Sequence, residues 1–209
     1  MADIIVNFLQ SFIKNDYLLV LLTSCFPLIE LKGAIPIGTK LGLELLQTAP
    51  LAYLGSTLIC IPIFFLLVPI FNLLKKIKFV GGFIEKVELV LKNKALKIAK
   101  KADGDADSAV KKIYMISLFI FVAVPFPVTG VWTGTAMAVF LGLKFRESIL
   151  PLAVGNLIAG TIITILTYFF ASYVDTIILI LFAIAIVMLI VFIIKVATAK
   201  KDNADEKAE

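Results

Sequence analysis

The chain has 209 residues, 61% of them hydrophobic, with a mean hydropathy of +1.05 and a formal net charge of +5. A soluble domain of this length cannot cover so much apolar surface, so the composition excludes a water-soluble globule and predicts an all-α polytopic membrane protein. Histidine is absent, which removes His-based triads and zinc-protease motifs; no nucleophile motif replaces them, and neither an enzyme nor a metal or other cofactor is expected.

Asp3 stands where a signal peptide would be positive and the first basic residue is Lys14, so no cleavable signal is expected. Tyr17 to Leu43 is the first apolar region. It is interrupted midway by Phe26-Pro-Leu-Ile-Glu-Leu-Lys-Gly-Ala-Ile-Pro-Ile-Gly38, and its flanking halves are too short to cross alone. In hydrocarbon, non-helical backbone survives only when packed in protein or lining a wet cavity. A re-entrant hairpin over about 17–43 is therefore predicted, with its break, including Glu30, Lys32, Gly33 and Pro36, as a candidate substrate-binding site. Glu30 is flanked by Leu28, Ile29 and Leu31, and an acidic group at that depth is costly unless paired, protonated or wet. It becomes a candidate proton-coupling group, with Lys32 or Arg146 as ion-pair partner; a carboxylate at a wet hairpin mouth is the alternative.

Pro50 to Leu74 is 25 residues without formal charge, where about 20 suffice to span a bilayer. Pro62 and Pro69 are expected to kink this helix. Cys25 and Cys60 both fall in apolar stretches and read as buried thiols.

Lys75 to Lys112 holds 11 lysines against five acidic residues, which places it in the cytoplasm. Phe79, Phe83, Ile84, Val87, Leu91 and Ile98 recur at helical spacing among those lysines. That pattern predicts an amphipathic helix, lying on anionic lipid or solvated as a linker. Asp103-Gly-Asp-Ala-Asp107 has the alternation of a calcium loop, but Tyr114 stands where its closing Glu belongs; a turn with a helix cap is expected.

Ile113 to Leu143 is the second interrupted region, broken by Pro125-Phe-Pro-Val-Thr-Gly-Val-Trp-Thr-Gly134 and followed by Thr135. A half-helix beginning after Pro127 would turn free amides and its positive dipole end toward a bound anion. Thr129, Thr133 and Thr135 would add hydroxyls, beside Gly130 and Trp132; small residues there also suit tight helix packing. Arg146, the single arginine, is either a fork for phosphate or carboxylate or a snorkelling anchor with Lys144. Leu150 to Ser172 and Thr176 to Ile194 are the last two spans, separated by Tyr173, Val174 and Asp175; Asn156 and Thr161 on the former are expected to be packing residues, with facing the site's cavity as the alternative.

A single crossing by Ile113 to Leu143 would leave Lys195, Lys200 and Lys201 outside, against the positive-inside rule. A hairpin that enters and returns keeps Lys144 and Arg146 inside and brings the tail back to the cytoplasm. An internal repeat fits this arrangement: at an offset of 100, Pro27 matches Pro127, Leu41-Gly42-Leu43 matches Leu141-Gly142-Leu143, and Gly55 matches Gly155. With one inserted residue, Pro50-Leu51-Ala52 matches Pro151-Leu152-Ala153. The expected organisation is a first repeat over 1–74, a basic linker over 75–112, an inverted second repeat over 113–172, and a final helix and tail over 173–209. Inverted repeats with broken helices are a transporter architecture.

Glu30-Leu-Lys-Gly-Ala-Ile-Pro36 together with Pro125-x-Pro-x-Thr-Gly-x-Trp-Thr-Gly134 resembles the small multi-drug export protein family, over all but the cytoplasmic segment and tail. More distantly the chain is similar to the DedA (VTT) superfamily. There paired re-entrant hairpins carry acidic and arginine residues, and some members move polyprenyl-phosphate lipids. The resemblance implies Glu30 as the acidic group of the first hairpin. Arg146 only approximates the second-hairpin arginine, since the hairpin itself contains none. The expected function is a transporter or flippase for a lipid-phosphate-like anion, with export of amphipathic or cationic drugs as the alternative and a scaffold or membrane enzyme as the different-class one. Expected partners are membrane lipids and the substrate, not nucleic acid; a homo-oligomer stays open.

Overall fold

The computed structural model describes residues 2–99, 106–126 and 129–173, and within the C-terminal segment 175–176, 178–180, 183–184, 186–187 and 190–191. Pro127, most of the Asp103 to Asp107 stretch and the tail lysines lie outside the described residues. Among the described residues every regular element is helical: α1 Ala2–Phe12, α2 Asp16–Ser24, α3 Glu30–Lys40, α4 Leu45–Leu58, α5 Cys60–Lys76, α6 Lys78–Ala99, α7 Ala106–Ala123, α8 Val131–Phe140 and α9 Phe145–Phe169, then a 3-10 turn Ala171–Tyr173.

Among the described residues two stretches are long and apolar enough to cross a membrane, Leu45–Lys76 and Phe145–Phe169. The first is interrupted at Ile59, where α4 gives way to α5. Pro62 has no N–H to return to the Leu58 carbonyl, and that missing bond explains the interruption. Pro69 is carried inside α5 without ending it.

One order of elements occurs twice: a helix, a break, a short helix, a glycine turn and a long helix. At the first turn Leu41, Gly42 and Leu43 donate their amides to the carbonyls of Ile37, Thr39 and Gly38 at 3.0, 3.0 and 3.1 Å. At the second, Leu141, Gly142 and Leu143 donate to Met137, Val139 and Ala138 at 2.9, 3.1 and 3.0 Å. Gly42 at φ +86° and Gly142 at φ +69° take the left-handed conformation that closes such a helix end. The long helices then pack back through equivalent glycines. Gly55 on α4 sits against Leu21 and Ser24 of α2; Gly155 on α9 sits against Phe119 and Val122 of α7. A Cβ at Gly155 would meet the Phe119 carbonyl at 2.8 Å. Gly155→Leu should therefore cost about 1–3 kcal/mol by overpacking, seen as earlier loss of the monodisperse detergent-solubilised peak on heating.

Polar contacts fix which ends lie together. Tyr17 at the start of α2 donates to Gln47 at the start of α4, 3.1 Å, and Lys111 in α7 pairs with Glu147 in the first turn of α9, 3.0 Å. Lys40, beside the Gly42 turn, pairs with Asp175 beyond the end of α9 at 2.8 Å. The Gly142 turn immediately precedes α9, so the two glycine turns lie at opposite ends of that helix.

The amphipathic segment forms α6, which folds back on α5 and α7 instead of standing free. Lys75 pairs with Glu88 at 2.6 Å, Lys92 with Asp107 at 3.6 Å, and Ile84 and Ala95 are buried. Asp107 lies in the first turn of α7, where a negative charge suits the helix dipole. α7 begins at Ala106, ahead of the predicted hairpin start at Ile113. Of the two free thiols, Cys60 is buried as expected, whereas Cys25 is only partly so.

Candidate functional site

The two breaks meet. After α2 the chain turns through hydrogen bonds from the amides of Phe26 to Thr23 (3.1 Å) and of Glu30 to Phe26 (2.9 Å). Glu30 then takes φ +48°, the only positive φ of a non-glycine residue among those described. This conformation is unfavourable for a side-chain-bearing residue by roughly 1 kcal/mol or more, and its consequence is geometric. Side chains two residues apart on a regular helix point away from each other. With Glu30 out of the helical region, the Lys32 ammonium reaches its own neighbour's carboxylate at 2.9 Å.

Both side chains are enclosed, with Glu30 6% and Lys32 4% exposed. Isolated charges at such burial would cost several kcal/mol each, and the second break supplies the remaining partners. Lys32 also donates to the Thr129 carbonyl. The Trp132 amide, in the first turn of α8, donates to Glu30 at 3.2 Å. Gly130 sits so close to the Glu30 carboxylate that any side chain there would collide with it. The Trp132 indole N–H donates to the Cys25 carbonyl at 2.9 Å, tying the second break to the end of α2. The amide end of α8, predicted to face a bound anion, thus holds an anion of the chain itself.

The structure brings together Glu30, Lys32, Thr129, Gly130 and Trp132. It chooses Lys32, not Arg146, as the partner of Glu30. Arg146 is exposed in the first turn of α9, separated from the break by the length of α8, about 15 Å. The threonine hydroxyls turn inward to the chain. Thr129 donates to Val124 at 2.6 Å and accepts from the Phe126 amide at 3.2 Å; Thr133 accepts from the Gly130 amide at 3.2 Å; Thr135 is buried and donates to Val131 at 2.6 Å. Gly33 allows close passage of Ile29, 2.6 Å from where its Cβ would be, and Pro36 is buried in α3.

A second polar contact joins the long helices. Asn156 on α9 donates to Ser56 at 2.7 Å and to Thr57 at 2.8 Å, and the Tyr53 hydroxyl donates to the Ala153 carbonyl at 3.4 Å. Thr161 is exposed and bonds Leu157 of its own helix at 2.8 Å. Asn156 is a packing residue, as expected, whereas Thr161 faces outward from α9. The role of Ser56 escaped the sequence reading, although it directly follows Gly55 of the matched Gly55 and Gly155.

No curated protein and no solved structure matches the chain. Residues 30–162, which run from Glu30 through both breaks into α9, match the family described as small multi-drug export protein, an exporter description and not an enzyme class. Two helices of bilayer-spanning length and apolarity agree with a membrane protein of that kind. By this match over the greater part of its length, the chain belongs to the small multi-drug export protein family.

Proposed function

We propose that this protein is a multi-pass transporter or flippase of the cell membrane, moving an anionic, lipid-phosphate-like substrate between two facing re-entrant hairpins with Glu30 as the proton-coupling group. α2 with α3 is the first hairpin, and α7 with α8 the second. Helix length supports this: α3 has 11 residues and α8 has 10, rising about 16 and 15 Å. That is half of a roughly 30 Å hydrocarbon core, so with the charged first turns of α7, Asp107 to Lys112, outside the hydrocarbon, each short helix returns from mid-membrane to the side from which its partner entered. Glycine turns at opposite ends of α9 support opposite orientations, the inverted-repeat arrangement with substrate at the repeat interface.

The observation that carries the reading is the buried Glu30 and Lys32 pair where the two breaks meet. A strained backbone and a desolvated charge pair at one point mark a site where function outweighs stability. In the state described, Glu30 occupies the place of an anionic substrate. Protonating it removes the negative charge that Lys32 and the α8 amide end hold, and a phosphate then takes that place. Proton and anion bind together. Arg146 and Lys144, beside the Gly142 turn, offer the incoming phosphate its first fork on the cytoplasmic side. A cationic drug would instead displace Lys32 from Glu30, the exporter alternative that the family description keeps in view.

Topology tests the architecture. Single cysteines labelled from each side, in a background without Cys25 and Cys60, should place position 45 outside and positions 95, 146 and 205 inside. Labelling of position 146 only from outside would make the second hairpin a single broken crossing and end the inverted-repeat reading.

A further inference from the structure

Away from Glu30, α6 roofs a cavity of about 700 Å³ over α5, α7 and α8. Cavities of several hundred Å³ are of ligand size. Its walls are apolar, formed by Phe71, Leu91, Ala95, Phe121, Met137 and Phe140. Among the described residues Lys94 is the only charged residue lining it, and there it is exposed with no ion-pair partner. Three nearby lysines are paired: Lys75 with Glu88, Lys92 with Asp107 and Lys111 with Glu147. Those lysines border a second, more polar cavity of about 610 Å³ that shares Tyr114 and Leu141 with the first. Glu85, which lines the second cavity and has no ion-pair partner among the described residues, lies nine residues from Lys94, about 14 Å along α6.

We infer that this cavity is a binding site for an anionic phospholipid, with an acyl chain in the apolar space and the headgroup phosphate on Lys94. Three features select that ligand. Apart from Lys94, Tyr114 and Ser117 the lining is apolar, which suits a hydrocarbon tail. The uncompensated charge at its rim is positive, and the unpaired acid is too distant to meet the same headgroup. α6 also follows directly on Lys75 and Lys76 at the end of a membrane-spanning stretch, the depth at which a basic surface meets anionic headgroups. The site goes beyond the transport reading and needs only that the chain sits in a bilayer.

Native mass spectrometry of the delipidated full-length protein in detergent tests it, with dioleoyl phosphatidylglycerol and dioleoyl phosphatidylcholine as probes. The wild type should retain phosphatidylglycerol about five-fold more strongly, the scale of an exposed charge pair. Lys94→Glu should bring it to the phosphatidylcholine level or below. Ser117→Trp, which fills the cavity from an exposed position on its wall, should reduce retention of both lipids; if that variant does not run monodisperse, Ala136→Phe on α8 replaces it. Equal retention of the two lipids by the wild type, unchanged phosphatidylglycerol retention in Lys94→Glu, or no effect of the filling variant overturns the assignment. So does tighter wild-type retention of tetraphenylphosphonium than of phosphatidylglycerol. Retention is read at equilibrium without flux, so it and transport fail separately.

Discussion

Lys32→Met is expected to destabilise the protein by about 3–5 kcal/mol, the scale of removing one partner from a buried ion pair. The loss of a contact is the smaller part of that figure. Glu30 would remain enclosed at 6% exposure with the Trp132 amide alone facing its charge. The Thr129 carbonyl would lose its ammonium donor as well. Glu30→Gln combined with Lys32→Met leaves no charge to desolvate and should recover most of the stability, a coupling of at least 2 kcal/mol between neighbouring sites. Unfolding in mixed detergent, followed for both single variants and the double variant, gives the cycle. Additive effects would mean that the two side chains do not share one electrostatic environment, and the site described here would be wrong.

Glu30→Gln should reduce proton-driven flux in reconstituted vesicles to the level of protein-free vesicles. Glutamine matches the carboxylate in shape but carries no titrating proton, so a group serving only packing would tolerate it. Because Lys32 loses its counter-charge in that variant, Glu30→Gln with Lys32→Gln is the necessary companion. It buries no charge, and it should fold and still show no proton dependence. Normal flux in the folded double variant would remove Glu30 from the coupling step. A substrate that needs Glu30 but tolerates Lys32→Gln would be a cation taking the lysine's place, and the drug-export reading would replace the phosphate one. A phosphate-bearing lipid should need both residues.

The membrane class, the two long apolar helices and the approximate place of both breaks were legible in the sequence, because each is a local property; the breaks are shorter than read, since Lys32, Gly33 and Pro36 belong to α3 and Trp132 to Thr135 to α8. Hydrocarbon thickness sets how many apolar residues a span needs, and Pro27 and Pro125 stand at the ends of α2 and α7 where a helix loses its amide donor, although Pro36 and Pro69 are carried inside α3 and α5. Gly42 and Gly142 are such positions, and their matched turns follow from what only glycine does easily at positive φ. Glu30 was legible for the same reason, since an acid among Leu28, Ile29 and Leu31 must be explained wherever it lies.

What Glu30 does with its charge was decided by tertiary structure. Lys32 is its partner only because the backbone at Glu30 leaves the helical region, since a regular helix would send the two side chains to different faces. The Trp132 amide of α8, free in a reading of the second break by itself, is met by a carboxylate 102 positions earlier in the chain. The threonine hydroxyls are taken up by nearby backbone carbonyls and amides, and α6 closes onto the bundle through ion pairs with residues before and after it. Residue type and spacing tell which groups need partners in a low-dielectric interior. Which partner each one finds depends on which elements pack together, and that is a property of the assembled fold.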